Sequence, residues 1–271
     1  MNGHPYFLAL FILLEFACAS RLERGCSRPE KYRGKSVPEI LSEANATFRN
    51  DKKRKAVVYS VYGSNDLYIK GVYENIKMVR EFYPGWDVLV YLDKGVPKVA
   101  VDKMIAEGAK VELGEYRFAA SRFFAADKEE YDLFISRDAD SRIYPREVAA
   151  VADWLREDWA ILHGMRDLRG HTNPMLAGMW GARSRELREK LKEAFGPDSS
   201  MEGLYRKYRP DVSAYGDDEK FLRDVVLKAV GEGAFLSHES VYCNDFEHSR
   251  GFPIPLSVGS PGIGSIIHPK K

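Results

Sequence analysis

At 271 residues the chain is long enough for one sizeable domain with a proper core, with or without a small appendage. Its 41 Lys and Arg stand against 40 Asp and Glu, a net charge of +1, so composition gives no electrostatic case for binding nucleic acid. Only three cysteines occur, Cys18, Cys26 and Cys243, and no Cys/His spacing suggests a zinc site.

The N-terminus differs from the rest. Tyr6 to Ala19 is nearly all apolar and ends in Ala17-Cys18-Ala19 before Ser20, an A-x-A-like cleavage pattern. It is short for a bilayer span, which takes about 20 apolar residues, and Glu15 interrupts it. Residues 1–19 are therefore expected to be a signal peptide or a short signal anchor, the chain's one link to a membrane, and to direct it to the secretory pathway. No Lys or Arg precedes the apolar run, and a buried N-terminal helix is the alternative. Once Cys18 has left with a signal, Cys26 and Cys243 are either a disulfide or two free thiols. Residues 20–55 are basic and polar and read as a stem or linker with a short helix around Val37 to Ala46. Asn45-Ala46-Thr47 within it is a formal N-glycosylation sequon.

From Ala56 to the end, strand and helix patterns alternate. Ala56 to Tyr62 is a β-branched and aromatic strand stopped by Gly63-Ser64-Asn65. Tyr68 to Phe82 carries Ile69, Val72, Tyr73, Ile76 and Val79 at helical spacing. Trp86 to Leu92 is a second strand ending in Asp93, followed by a short helix (Val99 to Glu107) and a short strand (Lys110 to Leu113). Ser121 to Ala126 forms a helical turn, and Tyr131 to Ser136 a strand. Pro145 opens a helix lined by Val148, Val151, Ala152 and Leu155. A strand at Trp159 to His163 and helices around Leu187 to Phe195 and Phe221 to Ala229 complete the pattern. This alternation predicts an α/β fold with a mainly parallel sheet flanked by helices over residues 56–271, whose ligands sit beyond the carboxyl ends of the strands.

One of those strand ends carries the chemistry. Phe134-Ile135-Ser136 runs into Arg137-Asp138-Ala139-Asp140-Ser141-Arg142. In an extended segment Asp138 and Asp140 point to the same side and Ala139 away. Two such carboxylates suit Mn²⁺ or Mg²⁺, hard cations that take oxygen ligands and leave sites for phosphate. A bare D-x-D is a weak signal, and a solvated turn tied to Arg137 and Arg142 is the plain alternative. The preceding strand, the mid-chain position and the flanking arginines favour ligand binding.

Several stretches together resemble the GT-A glycosyltransferases: Tyr59-Ser60-Val61-Tyr62-Gly63, Tyr83-Pro84-Gly85-Trp86, Arg122 to Asp127, Ser136 to Arg142, Met165-Arg166-Asp167, Ala177 to Gly181, Tyr215 to Glu219 and His238-Glu239-Ser240. Most similar is a microbial and viral-type group marked by R-D-x-D-S-R, and the likeness covers most of the chain after Ala56. It implies a GT-A (Rossmann-like) catalytic domain that moves a sugar from a UDP- or GDP-linked donor to a hydroxyl of a glycan or glycoconjugate, with Mn²⁺ or Mg²⁺ at Asp138 and Asp140. It also implies a nucleoside near Tyr59, Ser60, Val61 and Tyr62, with Asp93, Arg122, Arg137, Asp138 and Ala139 close to the nucleotide and Arg166, Asp167, Ala177 and Gly178 around the donor sugar. Asp218, with Asp217 beside it, is the implied base or sugar contact. His238 is the implied third metal ligand, with His248 and His268 as rivals, although the group's His-Asp pair reads His238-Glu239 here. The Phe252 to Pro255 run and Gly259 to Gly264 fit a loop closing over the ligand, but Leu256-Ser257 stand where the group often has a basic residue. Two other classes fit the motif less well: a non-catalytic nucleotide-sugar or glycan-binding module, and an aspartate-dependent phosphotransferase, which usually places its D-x-D at the first strand.

Overall fold

The computed structural model describes residues 26–116, 118–208, 216–257 and 261–267. The signal expectation for residues 1–19, Tyr215 and His268 lie outside them.

Alternation along the first strand, β1 (Lys55–Val61), sets the layering. Val57, Tyr59 and Val61 enter one apolar cluster while Ala56 and Val58 enter the cluster on the opposite face. A strand buried on both sides reads as a continuous apolar run because helices cover both faces of the sheet. The first cluster takes in helices α1 (Val37–Asn50), α2 (Asp66–Phe82), α3 (Lys98–Ala106) and α4 (Pro145–Leu155). The second takes in the 3₁₀ segment Ala119–Asp127 and helices α5 (Ser184–Phe195), α6 (Met201–Tyr208) and α7 (Asp217–Phe221). Helix α7 runs on through a π-helical stretch, Leu222–Leu227, into Lys228–Val230.

The remaining strands are β2 (Trp86–Asp93), β3 (Lys110–Gly114), β4 (Leu133–Arg137), β5 (Leu162–Arg166), β6 (Met179–Arg183), β7 (Phe235–Glu239) and β8 (Ser249–Gly251). They form one sheet in the order β3-β2-β1-β4-β6-β5-β7-β8. Pairing is parallel except where β6 runs antiparallel between β4 and β5. The chain winds outward from β1 to β3 and then returns to β4 on the other side of β1. That reversal opens a crevice beyond the carboxyl ends of β1 and β4. At its rim, the positive-φ Gly63 ends β1, and Asn65 caps α2 by accepting from Leu67 N at 2.9 Å.

The stem expectation does not describe residues 26–55. Tyr32, Ile40, Ala44 and Phe48 are fully buried, and α1 packs along α4. Helix α1 starts where Glu39 accepts from Ser36 N at 2.7 Å, a capping box. Thr47 of the sequon lies inside this helix, its hydroxyl donating to Glu43 O and accepting from Arg156. Cys26 and Cys243 form a disulfide that ties the segment to the loop after β7.

Under α1 lies a buried polar chain. Asp153 Oδ1 accepts from Tyr32 Oη at 2.8 Å and meets Lys31 Nζ at 2.6 Å, while Oδ2 faces Arg250 Nη1 at 3.1 Å and His238 Nε2 at 3.2 Å. His238 Nδ1 in turn lies 2.9 Å from His163 Nε2. With a carboxylate at one end, His238 donates to Asp153 and His163 donates to His238, so both rings are neutral. Burial holds both below the ordinary histidine value, against the pull of Asp153 on His238. Because their folded pKa values are depressed, the stability they contribute is complete above about pH 6.5 and is lost as pH falls from there towards the folded values. Each group then costs up to about 1.4 kcal/mol per pH unit. The buried Glu239, pushed up to about 7, works in the opposite direction over the same window. Calorimetric Tm between about pH 7 and 5 is therefore expected to fall more steeply in the wild type than in His163→Gln; parallel profiles would contradict the neutral-histidine assignment.

Candidate functional site

The turn after β4 is held in place from below. Its first arginine, Arg137, points inward: Nε donates to Glu147 Oε1 at 2.8 Å and Nη1 to the Trp180 carbonyl at 3.3 Å. Ser141 Oγ donates to Asp138 O at 3.1 Å, Asn75 Nδ2 of α2 to Ser141 O at 3.0 Å, and Arg142 Nη1 to Ser141 O at 2.7 Å. Gly71 of α2 lies so close to the Ala139 carbonyl that no side chain fits between them. Both arginines flanking the D-x-D thus build the turn, and neither lines the cleft at the strand ends. Ile267 N donates to Asp140 O at 2.8 Å, which lays the C-terminal segment along the same turn.

So held, Asp138 and Asp140 face a cleft of ≈ 730 Å³ at the strand ends. Arg122, itself buried, comes up from the 3₁₀ segment. Its Nη1 lies 2.8 Å from Asp138 Oδ1 and its Nη2 4.0 Å from Asp218 Oδ2, so one guanidinium stands between two carboxylates. Asp218 and Glu219 occupy the first turn of α7, where a helix N-terminus favours negative charge. Burial pushes both carboxyls up, with Arg122 opposing for Asp218 and a hydrogen bond from Asn173 opposing for Glu219. Asp140 is also pushed up, by burial and then by Asp138 beside it. Among the described residues that line the cleft, four carboxylates thus face a single guanidinium.

Ten of the residues singled out from the sequence line this cleft: Ser60, Val61, Tyr62, Arg122, Asp138, Ala139, Asp140, Ala177, Gly178 and Asp218. Gly178 touches Asp138 directly; a Cβ there would overlap the carboxylate. The others sit elsewhere. Tyr59 faces the core on the opposite side of β1 from Ser60. Asp93 is buried and accepts from Gly63 N at 2.8 Å, fixing the turn after β1 rather than lining the cleft. Arg166 is buried against Glu239, at 2.9 Å, and Asp245, at 3.0 Å. Asp167 is buried and meets Arg146 at 3.0 Å while accepting from Ile263 N at 3.0 Å. Asp217 is buried at the start of α7, with Lys220 at 3.5 Å, and does not line the cleft. His238 cannot serve as the third metal ligand where it stands, because both ring nitrogens are engaged within the sheet core. His248 packs at a tilt against Trp159 instead.

Among the lining residues given no role from the sequence are Tyr68, His171, Asn173 and Glu219. Tyr68 reads in the sequence as a helix residue, and the segment at 170–173 lacks any periodic signal. Only Glu219, next to Asp218, had a local cue.

Among the described residues no group of three or more His, Cys, Asp and Glu is arranged to hold a metal. Asp138 and Asp140 nonetheless fit a cation of the Mg²⁺ or Mn²⁺ kind, which is held by one or two carboxylates and completes its shell with water and phosphate oxygens. Burial and then the charge of Asp138 raise Asp140, and a cation between them relieves that repulsion.

No family model and no curated protein matches the chain. Solved structures do. Mannosyl-3-phosphoglycerate synthase from Rubrobacter xylanophilus is 15% identical, with a TM-score of 0.49 over 86% of this chain and 76% of that one. Glucosyl-3-phosphoglycerate synthase from Mycobacterium tuberculosis with phosphoglyceric acid is 15% identical, TM-score 0.48, over 81% and 78%. The same enzyme with Mn²⁺, UDP-glucose and phosphoglyceric acid is 14% identical, TM-score 0.46, over 80% and 78%.

Proposed function

We propose that the protein is a metal-dependent glycosyltransferase that moves a sugar from a UDP- or GDP-linked donor to a hydroxyl of a glycan or glycoconjugate. The observation that carries this reading is the meeting of Asp138, Asp140, Arg122 and Asp218 in one cleft at the reversal point of the sheet. The nucleoside lies along Ser60 to Tyr62 and Tyr68, beyond the end of β1. The diphosphate lies over the end of β4, where Asp138 and Asp140 would hold Mn²⁺ or Mg²⁺. When bound, that cation would supply a Lewis acid to offset the charge growing on the departing diphosphate. Arg122 fixes Asp138 and adds a positive charge in a partly desolvated place, where it counts for more than in water. The sugar lies towards Ala177, Gly178 and the β5 loop. In an inverting reaction Asp218 takes the acceptor's proton, a role that burial favours by raising its proton affinity.

The Cys26–Cys243 disulfide supports placing the chain in an oxidising compartment of the secretory pathway.

The test is calorimetric binding of UDP, GDP and their sugars with Mn²⁺ and then with EDTA. Affinity for one nucleotide is expected to drop at least about ten-fold on metal removal, a loss of about 1.4 kcal/mol. Binding without transfer or hydrolysis would favour the non-catalytic module, and no nucleotide binding by the folded protein would refute the proposal.

A further inference from the structure

The loop that leaves β5 folds back on itself and fixes one imidazole. His171 N donates to Leu168 O at 3.0 Å, closing a turn. Within that turn His171 Nδ1 lies 3.1 Å from Asp167 N and 3.2 Å from Leu168 N. Backbone amides only donate, so Nδ1 carries no proton and the neutral ring holds its proton on Nε2. The turn is rigid because Asp167 is anchored by Arg146 and by Ile263 N.

His171 is half-buried and lines the cleft. Burial holds it below the ordinary histidine value, against the raising influence of Asp167 and Asp138. The ring therefore presents an N–H to the cleft, not a lone pair. A protonated ring nitrogen cannot ligate a cation, so this histidine is not the missing third metal ligand; it is a hydrogen-bond donor that seeks an oxygen.

Position says which oxygen. In the sheet, β4 and β6 lie between β1 and β5. Three strand spacings, about 14 Å, separate the nucleoside end of the cleft from the β5 loop. Asp138 and Asp140 mark the diphosphate between them. Resting on the proposed function, we infer that His171 is a specificity residue whose Nε2–H donates to a hydroxyl oxygen of the sugar being transferred. Asn173, held by its hydrogen bond to Glu219, supports the same wall.

Two substitutions separate the ring's two nitrogens. His171→Asn keeps an acceptor for the Asp167 and Leu168 amides but does not reach the cleft, whereas His171→Gln reaches it. With Mn²⁺ present, His171→Asn is expected to bind the nucleotide sugar (UDP-glucose or GDP-mannose, whichever the wild type prefers) about ten-fold more weakly. The free nucleoside diphosphate is expected to bind unchanged, and His171→Gln to recover much of the loss. Equal binding of the nucleotide sugar by His171→Asn and wild type, or equal weakening of sugar nucleotide and free diphosphate, would overturn the assignment. So would ¹⁵N spectra of the imidazole at neutral pH showing a proton on Nδ1. Failure of the wild type to bind any nucleotide would instead bring down the glycosyltransferase reading, and this assignment with it.

Discussion

Gly178→Ala is expected to lower sugar transfer by about a hundred-fold while leaving the fold intact. The added methyl would occupy the place of the Asp138 carboxylate, which is itself paired to Arg122 at 2.8 Å. One of the two must move, and the backbone at 178 is fixed by the start of β6, so the carboxylate and its arginine give way. A misplacement of about 1 Å at a reacting centre costs about 10²-fold. Mn²⁺-dependent binding of the nucleotide sugar should weaken in parallel, with Tm close to that of the wild type. Activity within about three-fold of wild type would mean that Asp138 is not needed where it stands.

Removing the disulfide has the largest expected effect on stability. Cys26 and Cys243 are 217 positions apart in sequence, so the bond closes nearly the whole described chain into one loop. Constraint of the unfolded chain by so long a loop stabilises the fold by about 2–5 kcal/mol. Urea denaturation of Cys26→Ser/Cys243→Ser should show that loss in the midpoint, and reductant should destabilise the wild type but not the variant. Unchanged midpoints would mean that α1 and the Asp153 cluster hold the N-terminal segment unaided. Local consequences should follow too. Tyr242 donates to Arg169 O at 2.6 Å, and Asp245 pairs with Arg166, so loosening the loop around Cys243 should speed amide exchange in the β5 loop.

Much of the architecture was legible because β1, β2 and α2 carry undiluted periodicities and sharp glycine stops. The strands beyond β5 were not. β6 (Met179–Arg183) contains Gly181, whose lack of a side chain lets the strand approach Ile135 and Phe134, and β7 carries Ser237, His238 and Glu239, polar residues satisfied by one another and by neighbouring strands. Polar groups buried in pairs look like surface in a sequence. The same blindness explains the site. The position of Asp138 and Asp140 at a strand end could be read from the chain, as could Ala177 and Gly178. Whether an arginine points to a ligand or to a buried acid could not. Arg137 found Glu147 on the following helix and Arg166 found Glu239 on a neighbouring strand, whereas Arg122 found Asp138 and Asp218 in the cleft.

The close approach of Gly71 to the Ala139 carbonyl has a consequence for how this protein can vary. A helix pressed directly on the backbone of the D-x-D turn makes the two inherit each other's changes: any residue larger than glycine at 71 must push the turn outward, and with it Asp138 and Asp140. Asn75, one helical turn further on, fixes the register of the same contact. In related sequences, positions 71, 75 and 139–141 should therefore change together or not at all, and a chain that has lost the small residue at 71 should also have lost the two aspartates.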